Sequence, residues 1–165
     1  MHADRLDKID IKILELLQQN GRMKRKALAE NAGLSIPSIS ERLRRLEQRG
    51  YIKGYFSILA PKKIELGLAA FVFVTAESST FYASIIAQAE KETEIMECHA
   101  VTGAGSYIFK VRTRDTETLE RLLSQIQSWA GIKDTATHVV LSSPKESTVL
   151  PLSQYKPECR KQQLL

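Results

Sequence analysis

The sequence has little cysteine, little tryptophan and no long apolar run. Its two cysteines, Cys98 and Cys159, stand far apart, and neither belongs to a close Cys or His pair with zinc-site spacing. A disulfide framework and a structural zinc are therefore not expected, and both thiols read as reduced. The longest apolar stretch, Leu66 to Ala76, is too short to span a bilayer. Met1 to Asn20 is charged throughout and lacks the apolar core of a secretory signal. A soluble, cytoplasmic protein is the expectation. The three histidines, His2, His99 and His138, are scattered. His99 follows Cys98 in a strand, where neighbours face opposite sides, so the two do not form a catalytic pair. No Walker loop, dinucleotide fingerprint or HExxH pattern occurs, so neither an enzyme nor a bound cofactor or metal is expected.

What the sequence does have is an uneven charge. Of 165 residues, 24 are basic and 19 acidic. Up to Ala60 there are 12 basic residues and 7 acids; from Pro61 onward 12 face 12. All of the net +5 thus lies in the first third. This is the pattern of a polyanion-binding module joined to a neutral one.

The first third reads as three helices. Leu6 to Asn20 carries Ile9, Ile13, Leu14 and Leu17 at helical spacing, with Asp7 as cap and Asn20-Gly21 as stop. Lys24 to Ala32 is a shorter helix ended by Gly33. Ser35 caps a third helix that tolerates Pro37 in its first turn and runs to about Arg49, with Gly50 as stop. Ile39, Leu43 and Leu46 face inward. The opposite side carries Pro37, Ser38, Glu41, Arg44, Arg45 and Gln48, with Arg42 and Arg49 at its flank. A short helix, a glycine turn and a longer basic helix make a helix-turn-helix. Tyr51 to Leu59 is expected to form a short hairpin arm, the wing, giving a DNA-binding domain over 1–60 and a linker over 61–67.

The periodicity then changes. Strands are expected at Leu68 to Ala76, Ile95 to Val101, Ser106 to Arg112 and Lys133 to Leu141. Helices run from Ser79 or Thr80 to about Glu92, and from Thr116 to Trp129. The order βαββαβ is the split βαβ, or ferredoxin-like, arrangement over 68–147, followed by an irregular tail over 148–165. The fold class is α+β. Helices cover one sheet face; Phe71, Phe73 and Val139 are expected to supply one face, and the bare face or an edge strand invites dimerisation.

On these residues the chain resembles the Lrp/AsnC, or feast/famine, family of prokaryotic regulators. The N-terminal likeness rests on Leu6-Asp7, Asp10, Ile13-Leu14, Asn20-Gly21-Arg22, Leu28-Ala29, Gly33-Leu34-Ser35, Arg42, Leu46-Glu47, Gly50, Ile52 and Gly54-Tyr55. The C-terminal likeness rests on Val101-Thr102-Gly103, Tyr107, and Thr135 and Thr137 through Lys145. The resemblance implies homodimers formed through the C-terminal domain, often assembled as octamers, which bend or wrap DNA. It also implies an amino-acid or related metabolite effector bound near the Thr-Gly turn, and genes of amino-acid metabolism as targets. Family members commonly read Thr-Gly-Asp-x-Asp-Tyr at that turn. Here Ala104 and Ser106 replace both acids, and a hydroxyl cannot neutralise a ligand's ammonium. A second departure is Lys24, where the family usually places a serine cap, inside Arg22-Met23-Lys24-Arg25-Lys26.

The expected site residues follow. Ser38, Glu41 and Arg45 are candidates for base edges in the major groove of double-stranded DNA, with Glu41 accepting from cytosine or orienting an arginine. Ser35, Arg44 and the cluster Arg22, Lys24, Arg25 and Lys26 are phosphate candidates. Thr102, Gly103, Ala104, Gly105, Ser106 and Tyr107 are the effector candidates, joined on the resemblance by Thr135 and its neighbours from Ile132. A nucleoid-type DNA organiser without an effector is the alternative reading.

Overall fold

The computed structural model describes residues 5–103 and 105–155. Ala104 and Cys159 lie outside the described residues. The chain divides into two compact units: Met1–Ile58 together with Glu146–Leu165, and Leu59–Lys145.

The first unit is built on α1 (Lys8–Gln19), α2 (Arg25–Ala32) and α3 (Ile36–Gln48). Asp7 caps α1 by accepting the Ile9 and Asp10 amides at 2.9 and 2.8 Å, while Asp10 accepts the Asp7 amide at 3.2 Å. This reciprocal capping box satisfies donors that the helix itself leaves open. Gly33 ends α2 at φ +67°, in the left-handed region that only glycine enters without strain, and the chain turns directly into α3. Ile13, Leu28, Ala29, Ile39, Leu43 and Leu46 form the core where the three helices meet, with Leu6 at its edge.

Tyr51 to Leu59 contains no strand among the described residues, and its start is tied back to α3 by the Tyr51 and Ile52 amides, which donate to the Leu46 carbonyl at 3.0 and 3.2 Å. The hairpin expected there is not formed. Each arm of a hairpin on Gly54 would be about four residues, too short to hold a two-stranded ribbon without a sheet to join. The linker, by contrast, contains a 3-10 turn at Pro61–Ile64.

The second unit contains β1 (Leu68–Ala76), α4 (Tyr82–Lys91), β2 (Ile95–Ala100), β3 (Tyr107–Thr113), α5 (Thr116–Gln127) and β4 (Ile132–Val139). The sheet order is β2-β3-β1-β4, with all three pairings antiparallel. This is the ferredoxin-like order expected from the sequence. A 3-10 turn at Ser79–Phe81 precedes α4 in place of a continuous helix. The cap position of α4 therefore falls on Phe81, which has no side-chain acceptor, and the Ser78 and Thr80 hydroxyls bond each other at 2.6 Å.

Directly paired residues on neighbouring strands point to the same side of a sheet. Ala70, Val72 and Val74 of β1 pair with Val111, Phe109 and Tyr107 of β3. These six lie in one apolar cluster with Ile85 and Ala89 of α4 and Leu119, Leu122 and Ile126 of α5. The opposite face carries Phe71 and Phe73 beside Lys110 and Ile108 on one flank and His138 and Ala136 on the other. No helix of the unit covers it. Val139 pairs with Ala70 and therefore lies on the helix side, not on the face of Phe71 and Phe73 with which the sequence pattern groups it. The alternation within β4 is legible, but its phase against β1 is set by the pairing register. Cys98 pairs with Phe109 and packs against the core, while His99 pairs with Ile108 on the open face. Burial and the nearby Glu90 carboxylate raise the Cys98 thiol above its ordinary value.

Gly131, between α5 and β4, has φ +87°, and a Cβ there would lie 2.1 Å from the Phe81 ring carbon Cγ. Its carbonyl accepts the Glu77 amide at 2.9 Å, so this glycine lets the α5–β4 turn close directly over Phe81.

Candidate nucleic-acid interface and sensing site

Recognition of duplex DNA needs a helix whose inner face is anchored and whose outer face is polar. α3 meets both requirements. Ile39, Leu43 and Leu46 are buried, whereas Ser35, Ser38, Glu41, Arg44 and Gln48 are exposed. Ser35 accepts the Ser38 amide at 3.3 Å, and the two hydroxyls bond each other at 2.9 Å. The start of α3 therefore presents two linked hydroxyls in solvent. Ser35→Ala should remove the cap at a cost of about 1 kcal/mol; thermal unfolding of the first unit measures it.

The arginines of α3 are held in different ways. Arg44 is splinted along the exposed face: it donates through Nε and Nη2 to Glu41 at 3.0 and 2.6 Å, and through Nη1 to Gln48 at 2.7 Å. The hydrogen bond and charge of Arg44 outweigh the small effect of burial and lower the Glu41 carboxyl. Of the two roles open to Glu41, orienting an arginine is the one this geometry presents. Arg45 is partly exposed and leans towards α1, with Nη2 3.6 Å from Asp10 Oδ1. Arg42 points inward and donates to Asp10 Oδ1 at 2.6 Å and Asp7 Oδ2 at 2.8 Å. It is the clamp between α1 and α3. The sequence places Arg42 only at the flank of the helix; its partners, more than 30 residues away, belong to the tertiary structure. Arg22, Lys24, Arg25 and Lys26 are all exposed around the start of α2, and Lys24 occupies the cap position without making a side-chain cap bond. Beyond α3, the Tyr55 hydroxyl donates to Glu47 at 2.9 Å; burial, then the Glu47 carboxylate, pushes it up to about 12.

In the second unit the effector candidates are divided between the two sheet faces. Gly105 borders a shallow concavity of about 360 Å³ on the open face, together with Phe73, Thr75, Asp134, Ala136 and His138. The His138 ring meets Phe73 edge-on, with centroids 5.3 Å apart. Asp134, Ala136 and His138 are not among the effector residues that the sequence points to; the alternation of β4 is the signal that groups them. Thr102 and Gly103 lie in the turn between β2 and β3. Ser106 is committed internally: its amide donates to Val74 at 2.7 Å, and its hydroxyl accepts the Ala76 amide at 3.1 Å. Tyr107 is buried on the helix side, edge-on to Tyr82 at 5.4 Å. Thr135 pairs with Val74, also on the helix side, and accepts from Gln127 at 2.9 Å. The structure thus brings Gly105 to the concavity and aims Tyr107 and Thr135 away from it.

Among the described residues no group of three or more His, Cys, Asp or Glu side chains is placed to hold a metal ion. Nor is any helix of the described residues long and apolar enough to cross a membrane.

A three-helix unit presenting a splinted polar helix, joined to a ferredoxin-like unit with one bare sheet face, defines a helix-turn-helix regulator with an appended sensing domain. Residues 6–53 match the winged helix-turn-helix DNA-binding profile, and residues 69–150 match the Lrp/AsnC ligand binding domain. The chain belongs to the Lrp/AsnC family of transcriptional regulators. It is 36% identical over 148 residues to the leucine-responsive regulatory protein of Escherichia coli K12, covering 88% of this chain and 90% of that protein. It is 33% identical over 147 residues to the transcriptional regulator FL11 of Pyrococcus horikoshii, covering 89% and 97%. Among solved structures, a transcriptional regulator of Neisseria meningitidis in complex with L-Met superposes with a TM-score of 0.86 at 34% identity, covering 90% and 98%. E. coli AsnC superposes with a TM-score of 0.82 at 31% identity, covering 88% and 98%.

Proposed function

We propose that this regulator places α3 in the major groove of duplex DNA and acts as a homodimer, with octamers as the larger assembly, in the cytoplasm at the nucleoid. The observation that carries this reading is the division of α3 into a buried apolar face and an exposed face of hydroxyls and a splinted arginine. Ser38 and Arg45 reach base edges. Ser35, Arg44 and the cluster Arg22, Lys24, Arg25 and Lys26 bind phosphate, and Glu41 sets the plane of the Arg44 guanidinium. The bare sheet face carrying Phe71 and Phe73 meets the same face of a second copy. Two recognition helices then address half-sites about one helical turn apart or a multiple of it, and larger assemblies bend or wrap the DNA.

The test is gel retardation of duplex DNA across a salt series, followed by footprinting. Binding should weaken linearly on a logarithmic plot, with a slope of about −0.9 per phosphate neutralised. The footprint should exceed one half-site. No retardation at low ionic strength would sink the reading.

The effector is a small metabolite of the amino-acid class, taken near the Thr102–Ser106 turn. The Neisseria meningitidis relative solved with L-Met supports this class. One observation favours a second reading, a DNA organiser without an effector. The Ser106 hydroxyl is occupied by the Ala76 amide, and no acid stands at position 104 or 106 to meet an ammonium group. A thermal-shift screen of amino acids separates the two: a concentration-dependent rise in melting temperature supports the effector, and a flat response throughout supports the organiser.

A further inference from the structure

The chain after β4 leaves the unit that contains β4. From Glu146 it groups with the DNA-binding unit. Gln18, in the last turn of α1, grips it with both halves of its side-chain amide. The Leu150 amide donates to Gln18 Oε1 at 2.6 Å, and Gln18 Nε2 donates to the Leu150 carbonyl at 3.2 Å. A side chain thus makes the pair of bonds that a strand partner would make. Five residues on, Tyr155 packs against the apolar cluster of the three helices, and its hydroxyl accepts the Leu6 amide at 3.3 Å. Leu6 immediately precedes the Asp7 cap, so the segment is fastened near both ends of α1.

We infer that Glu146–Tyr155 is a latch that gives the DNA-binding unit a second tether. The chain passes between units at Ile58–Leu59 and again at Lys145–Glu146. With the latch closed, the DNA-binding unit is tied at two points; with it open, at one. A single tether leaves the recognition helix free to turn about the linker, and a second restricts that freedom. The same chain direction links the latch to sensing. β4 supplies Asp134, Ala136 and His138 to the open-face concavity and, past Val139, runs into the latch. An event on that face that displaces the end of β4 favours the closed or the open latch according to which it fits better. Three neutral hydrogen bonds and one aromatic ring are among its contacts, a hold of the kind that opens locally without unfolding either unit.

Two arms test this, using the full chain. Amide hydrogen exchange should show Leu150 and Leu6 slowed by about tenfold or more relative to open chain. Gln18→Ala should release the Leu150 amide, and Tyr155→Phe, which keeps the ring, should release the Leu6 amide. The second arm rests on the proposed dimer on DNA. For duplexes with two half-sites at varied separation, the double variant should lose the wild-type preference for one separation by about tenfold, with affinity for a single half-site unchanged. A freely exchanging Leu150 amide in the wild type, or an unchanged spacing preference in the double variant, overturns the latch. Failure of the wild type to bind any duplex would instead strike the proposed function and leave the exchange arm to decide. Gln18→Cys with Leu150→Cys, in a Cys98→Ser, Cys159→Ser background, should be bridged within one chain by a short bis-maleimide, which adds one thiol to each of its two alkenes. A covalent dimer would assign the segment to the partner's DNA-binding unit and overturn a latch within one chain.

Discussion

Reversing two charges at the start of α2, Lys24→Glu with Arg25→Glu, should lower affinity for duplex DNA on the order of a hundredfold at moderate salt. The salt slope should fall by roughly 2, about 0.9 for each phosphate no longer neutralised. Both residues are exposed, and Lys24 makes no cap bond for α2. In the isolated unit two cations at a helix N-terminus oppose the helix dipole, and acids there would favour it. The variant should therefore fold at least as well as the parent while binding DNA worse. That opposition separates a phosphate-binding role from a structural one, because a structural role would lose stability and affinity together. Titration by fluorescence anisotropy at several salt concentrations, beside a thermal melt, measures both quantities. Unchanged affinity and slope would remove the cluster from the interface.

Arg42→Leu should cost the first unit about 3–5 kcal/mol, the usual penalty for breaking a buried ion pair from one side. The Asp10 side chain is 5% exposed and Arg42 21%, with the guanidinium 2.6 Å from the carboxylate. Removing the arginine leaves Asp10 with the Asp7 amide and the longer Arg45 contact, too little for a buried negative charge. Arg42→Leu combined with Asp10→Leu should recover much of the loss, short of about 1 kcal/mol for the capping box, because apolar replacement of both partners is often neutral. Chemical denaturation of the four species of this cycle is the measurement, and full additivity of the two single changes would refute the pairing.

The same clamp predicts an acid response. Burial works to raise the Asp7 carboxyl, but hydrogen bonds from the Asp10 amide and from Arg42, with the charge of Arg42, outweigh it and hold the group below its ordinary value. A carboxyl lowered on folding stabilises the fold above its unfolded value near 4 and loses that contribution as pH falls through the lower folded value. Acid unfolding of the first unit should therefore begin below about pH 4, and this dependence should shrink in Arg42→Leu. Arg42 itself, raised further by its two carboxylate partners against the effect of burial, contributes no pH dependence in that range.

Both predictions mark where sequence reading stops. The exposed cations Arg22, Lys24, Arg25 and Lys26 are visible in one dimension because a run of charged side chains at a helix start stays in water whatever the fold around it. The Arg42 clamp is not, because its partners stand 32 and 35 residues earlier, on another helix. The effector candidates divide in the same manner. Alternation along 107–113 separates Tyr107 from Ile108, yet nothing local says that Tyr107 looks into the helices and Gly105 onto the open sheet. Thr135 is polar enough for a binding face but lies on the helix side, since its pairing with Val74 decides the matter.

From the chain alone came the elements and their order: Asp7 and Ser35 as caps, Gly33 as a turn, β3 by its alternation, and the excess of positive charge in the first third. These rest on interactions within a few residues, which composition and spacing encode directly. The tertiary structure decided which side of the sheet each strand residue faces, which carboxylates hold Arg42, and that the chain returns from β4 to grip α1 through Gln18, 132 residues away. Such contacts depend on register and on the meeting of distant segments, and a one-residue change in register reverses every side chain of a strand.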